Sequence, residues 1–150
     1  MGLVILDPVL KAVLFDVDFT LFRPGPELGP EGYRRLGERH GLVIGLISNG
    51  QRDLEEFAEH HALDVDAVVG SKAHGRVKPH ASIFVAALRA LDARPEETAM
   101  VGDSYEDDIE GARALGIRAI LLDRDGVLPD TPDRIDTLFA LPAALGLVRS

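Results

Sequence analysis

The chain contains no cysteine, only 5% aromatic residues, and no apolar run near the roughly 18 residues a membrane-spanning helix needs. The missing thiols exclude disulfides and thiolate nucleophiles, and leave redox compartment unreadable. With so few aromatics, the 46% of apolar residues is mainly Leu, Val, Ile and Ala, the composition of buried parallel strands and their covering helices. Lysine is scarce too, with 3 against 13 arginines, and the formal net charge of −9 speaks against a non-specific nucleic-acid partner. The opening Met1-Gly2-Leu3-Val4-Ile5-Leu6 has no basic lead-in and meets Asp7-Pro8 early, which fits neither a secretory signal nor a membrane anchor. The expectation is a cytoplasmic protein with no membrane partner. At 150 residues, one domain is expected.

Apolar runs alternate with helical patterns along the chain. Strands are expected at 9–17, 42–48, 67–70, 98–101 and 117–122. Helices are expected at 30–40, 53–61, 82–91 and 108–115, with a looser piece at 135–139 and a last helix at 141–148. The clearest helix puts Ile83, Phe84, Ala87, Leu88 and Leu91 on one stripe. Gly41 and Gly116 read as helix stops, and Arg23-Pro24-Gly25-Pro26-Glu27-Leu28-Gly29-Pro30 as a loop. Such alternation implies right-handed βαβ units: a three-layer α/β/α, Rossmann-like parallel sheet. Ligands bind beyond the carboxyl ends of such strands.

Those ends carry polar residues. Asp16 and Asp18 follow the first strand, and strand alternation would point both toward one small volume. Like charges held that close are costly unless a cation, a shared proton or a reacting phosphorus lies between them. Solvated acids at a strand end would look the same. Ser48-Asn49-Gly50 offers a hydroxyl and backbone N–H groups to a phosphate, or equally a helix cap. Lys78-Pro79 places a point charge in a loop. Gly102-Asp103-Ser104, with Asp107 and Asp108, gathers acids where a buried strand meets a helix; some of this cluster is ordinary capping, and a carboxylate from each of two strand ends would suit Mg²⁺.

In this order, Asp-x-Asp-x-Thr, Ser-Asn, Lys-Pro and Gly-Asp followed by Asp-Asp, the chain resembles the haloacid dehalogenase superfamily over about Val9 to Leu122. The run from Gly102 to Ala112 is similar to that superfamily's last motif. Asp18, the second Asp of the first motif, marks phosphate rather than halide chemistry. The resemblance implies a Mg²⁺-dependent phosphatase of phosphate monoesters. Asp16 would be the nucleophile, forming an aspartyl phosphate, and Asp18 the acid and base. Thr20, Ser48 and the N–H of Asn49 would hold phosphate oxygens, and Lys78 would neutralise charge. Asp16, the Asp18 carbonyl and Asp103 would hold the metal, with Asp108 or Asp107 orienting a metal-bound water.

Two departures stand out. Phe19 occupies a position where the superfamily most often has Gly, so the turn carrying Asp18 must tolerate a ring, which then walls the pocket or hinders activity. The intervals from Asp16 to Ser48 (48 − 16 = 32) and from Ser48 to Lys78 (78 − 48 = 30) leave no room for an inserted cap domain. A core without a cap would borrow a lid from a second copy or act on a large substrate. The competing readings are a binding or assembly module with weak or no catalysis, and a signalling receiver domain, against which the order of motifs counts. His60 and His61 read as water-facing residues at a helix end, and His40 as another helix-end residue. His74, His80 and Arg52 are minor candidates for substrate contact.

Overall fold

The computed structural model describes residues 9–21, 39–126 and 133–147. Six strands form one wholly parallel sheet: β1 (Ala12–Phe15), β2 (Val43–Ser48), β3 (Ala67–Gly70), β4 (Thr98–Gly102), β5 (Arg118–Leu122) and β6 (Arg134–Ile135), in the order β3-β2-β1-β4-β5-β6. The chain winds outward from β1 to β3, returns to the other side of β1 as β4, and winds outward again. The reversal between β1 and β4 is where a crevice opens at the carboxyl ends of such sheets. Register brings Phe15 level with Leu46 and Val101, so the residues just after β1, β2 and β4 emerge side by side.

Alternation along the buried strands builds two cores. Val13 and Phe15 face one side with Leu46, Val101, Ile120 and the helix α1 (Leu54–His60). Ala12 and Leu14 face the other with Met100, Leu121 and the helix α3 (Ala81–Ala90), whose expected apolar stripe is fully used. Helices therefore cover both faces of the sheet, as three layers require. Among the described residues no separate cap is evident, and no helix is long and apolar enough to cross a membrane. The loop at 23–30 and all of the expected helix at 30–40 except Arg39 and His40 lie outside the described residues.

Several elements differ from expectation. The first strand is four residues rather than nine, because beyond Phe15 the chain turns, with the N–H groups of Thr20 and Leu21 donating to the Val17 carbonyl at 3.3 and 3.0 Å. The short helix α2 (Ser71–His74), absent from the periodicity, follows β3 directly. The segment expected as an α-helix from Asp108 begins earlier, as a π-helix over Tyr105–Glu110 that passes into α4 (Gly111–Arg113). Insertions of this kind cluster at functional sites. The last expected helix is shorter, α5 (Leu141–Ala144), and the looser piece resolves into β6 and a 3₁₀ turn over Leu138–Ala140.

Candidate active site

The Asp16 N–H donates to the Val101 carbonyl at 2.9 Å, so this residue still runs alongside β4 as the strand ends. Its carboxylate is buried and takes two donors: Thr20 Oγ1 at 3.0 Å on one oxygen and Lys78 Nζ at 2.8 Å on the other. Asp18 behaves differently. Its carboxylate does not join Asp16, as strand alternation predicted, but pairs with Arg52 at 2.8 Å over the end of β2. The cause is the turn after Phe15, which ends the two-residue period before Asp18 is reached. Asp18 Oδ2 and Ser48 Oγ both close on Gly50, where a Cβ would lie 3.0 and 3.3 Å from them.

Lys78 is the electrostatic centre. Only 3% exposed, it donates from Nζ to Asp16 and also to Asp108 Oδ1 at 2.5 Å. Burial alone would lower its pKa, but the charges of Asp16 and Asp108 and their hydrogen bonds outweigh that and raise it. The loop carrying Lys78 is fixed by Asn49, whose side chain accepts from the Lys78 N–H at 2.7 Å and donates to the Lys78 carbonyl at 3.1 Å. Asn49 thus uses its amide on the lysine's backbone, a role that sequence reasoning missed.

Asp108 reaches the centre because of Gly102. A Cβ on that glycine would sit 2.2 Å from Asp108 Oδ2, so only a residue without one lets the carboxylate fold back against β4. There Asp108 Oδ2 accepts from the Ser104 N–H at 3.1 Å. Burial, then the charge of Asp16, pushes Asp108 up to about 6, against the pull of Lys78. Asp103 is pushed up to about 7 by burial first, then by its hydrogen bond to Asp16 and the charges of Asp16 and Asp108. One ammonium among three carboxylates leaves net negative charge, which adds to burial in raising Asp103 and Asp108 and outweighs burial in raising Lys78. One oxygen from each of Asp16, Asp103 and Asp108 lies within 4.8 Å of the others, a set of hard ligands with uncompensated charge that suits a small divalent cation such as Mg²⁺.

Most of the residues singled out from the sequence meet here. Asp16, Thr20, Lys78 and Asp108, all buried, share one cluster with half-buried Asp103; Asp18 and Arg52 stand at its rim, and buried Ser48 lies beside Asp18. Asp107 does not point in; it accepts from Asn49 Nδ2 at 3.4 Å. His74 and His80 both bond Ser82 Oγ, and His80 also accepts from the Ser82 N–H, so they organise the start of α3. His61, expected to face water, is buried against Phe57, with ring centroids 4.6 Å apart. Phe19 tolerates its position by adopting a left-handed conformation, φ 64°, which costs a residue with a Cβ about 1–2 kcal/mol, and its ring is 53% exposed. Arg124, which no motif pointed to, donates to the carbonyls of Phe19 and Thr20, both at 2.7 Å.

Residues 26–116 match the family model described as haloacid dehalogenase-like hydrolase. The chain belongs to that family. It is 39% identical over 115 residues to the phosphoserine phosphatase of Thermus thermophilus, covering 71% of this chain and 44% of that protein. It is 35% identical over 122 residues to the glyceraldehyde 3-phosphate phosphatase of Methanothermobacter thermautotrophicus, covering 73% and 49%. The chain thus spans about half the length of the curated relatives it matches. Among solved structures, a HAD phosphatase from Thermococcus onnurineus superposes with a TM-score of 0.74 at 26% identity, over 83% of this chain and 60% of the other.

Proposed function

We propose that this hydrolase-family chain removes phosphate from a small phosphorylated molecule, with Mg²⁺, by way of a phosphoryl group carried on Asp16. The observation that carries the reading is the Lys78 bridge: its Nζ sits 2.8 Å from Asp16 and 2.5 Å from Asp108 inside a buried acid cluster. A buried carboxylate held in place by Thr20 and Lys78 is a fixed nucleophile, and phosphoryl transfer depends mainly on position and charge neutralisation. The names of the relatives support small phosphate monoesters as the substrate class.

In the first step an Asp16 oxygen bonds to phosphorus as the ester oxygen departs, and Asp18 gives that oxygen its proton. In the second, Asp18 takes a proton from water as the water oxygen attacks the same phosphorus, releasing orthophosphate and restoring Asp16. Asp18 suits this double duty because it stands at the rim, where the leaving group and then water arrive. Ser48, Thr20 and the Asn49 N–H hold the non-bridging oxygens, and Lys78 keeps its positive charge beside the transferring group. Bound Mg²⁺ would neutralise phosphate charge, held by Asp16, Asp103 and the Asp18 carbonyl. Asp108, which accepts from Lys78 and from the Ser104 N–H, would orient a metal-bound water.

The test is turnover of an aryl phosphate with and without Mg²⁺, at several protein concentrations. Native protein should turn over only with the metal, and Asp16→Asn should lose activity by about 10³-fold or more with the fold intact. Unchanged turnover in Asp16→Asn removes the mechanism. Specific activity that climbs with protein concentration would point to a lid supplied by a second copy. Metal-dependent binding without turnover across a panel of phosphate esters would favour the binding-module reading that Phe19 raises.

A further inference from the structure

We propose that Arg124 is a positioning residue for the site, a bracket from the end of β5 that holds the turn of residues 17–20 in the form the nucleophile and metal ligands need. Phe19 adopts φ 64°, a left-handed conformation unfavourable for a side chain with a Cβ. With its ring 53% exposed, packing does little to enforce that conformation. The backbone does more. Arg124 Nη1 donates to the Phe19 carbonyl and Nη2 to the Thr20 carbonyl, both at 2.7 Å, so one planar fork fixes two successive peptide planes.

Those planes matter on both sides. Phe19 φ sets the angle between the plane Arg124 grips and the preceding plane, which carries the Asp18 carbonyl. Thr20, gripped through its own carbonyl, places Oγ1 3.0 Å from Asp16 Oδ2 and 3.4 Å from Asp103 Oδ1. A guanidinium 104 residues along the chain therefore controls both a carbonyl and a hydroxyl of the acid cluster without touching a reacting atom. A glycine at position 19 would reach the same conformation at no steric cost and would need the bracket less.

Mg²⁺ binding and turnover both rest on the proposed function, whereas hydrogen exchange does not. Native protein, Phe19→Gly, Arg124→Ala, Arg124→Lys and the Phe19→Gly/Arg124→Ala double variant are compared by backbone hydrogen exchange over 16–21, by Mg²⁺ titration calorimetry and by aryl phosphate turnover. Arg124→Ala should raise exchange in 16–21 about tenfold and weaken Mg²⁺ about tenfold, with turnover falling through kcat; Arg124→Lys should fall between. In the Phe19→Gly background the same Arg124→Ala change should cost less than about threefold. Native-like exchange and Mg²⁺ affinity in Arg124→Ala would overturn the proposal. So would equal losses in both backgrounds, or exchange rising as much in β4 as in 16–21, which marks general destabilisation. If the native protein turns over no phosphate ester, the phosphatase reading falls while hydrogen exchange still decides the role of Arg124.

Discussion

Two of the three carboxylate–cation contacts described in the site have equal length and opposite character. Lys78 meets Asp16 at 2.8 Å with side-chain exposures of 2% and 9%, whereas Arg52 meets Asp18 at 2.8 Å with exposures of 36% and 35%. Burial makes the first contact obligatory, since removing either partner strands a charge away from water. The second is a half-buried pair of small net worth, with Arg52 also lying over the Phe57 ring at 4.9 Å. The division suits the proposed chemistry, in which Asp16 as nucleophile must not move, while Asp18 as acid and base must release one group and accept another.

The largest test of that contrast is Lys78→Met. It should destabilise the metal-free protein by about 3–5 kcal/mol in urea unfolding, because Asp16 and Asp108 lose their shared cation. A loss below about 1 kcal/mol would place the buried contact in the same class as the rim.

Next in size is the dependence on pH. Asp103 and Asp108 bind protons more tightly folded, at about 7 and about 6, than at their ordinary value of 3.8. Between pH 4 and 7 the folded state thus holds more protons than the unfolded chain, and these two groups make stability fall as pH rises. Lys78, raised above 10.5, stays protonated throughout that window, so its contribution is constant there. Thermal melts without metal should drop between pH 5 and pH 8, on the order of 2–4 °C for each kcal/mol lost. Mg²⁺ should restore most at pH 8, where the carboxylates are ionised; a flat profile would mean the acid cluster carries no excess charge. The smallest effect belongs to Arg52→Ala, which should change unfolding free energy by less than about 1 kcal/mol. A larger loss would show that the rim contact is held as firmly as the central one.

Much of this was legible in the chain because the signals were local. The strand Ala67–Gly70 and the stripe on α3 follow from periodicity alone. The convergence of Asp16 and Asp103 follows from the rule that parallel strands present their ligands at one edge, while Lys78 and Asp108 were expected there from the resemblance in motif order. Two of the features that were not legible depended on neighbours distant in sequence. The backbone grip of Asn49 on Lys78 spans 29 residues, and that of Arg124 on Thr20 spans 104. No local pattern encodes either. The π-helix over Tyr105–Glu110 is likewise set by how Asp108 packs on Gly102, a contact across the strand end that an i, i+4 reading of the acids cannot see. His61 was misjudged because its cover, Phe57, lies one helical turn earlier on the same buried face.

The span of the lysine bridge also bears on how the molecule is made. Lys78 is 62 residues from Asp16 and 30 from Asp108, so a nascent chain emerging in order has Asp16, the proposed nucleophile, long before the groups that hold it. Until β4 slots in beside β1, Asp16 is an ordinary solvated acid. Competence therefore arrives all at once with closure of the central sheet, and a ligand that grips the finished cluster favours the closed state by mass action.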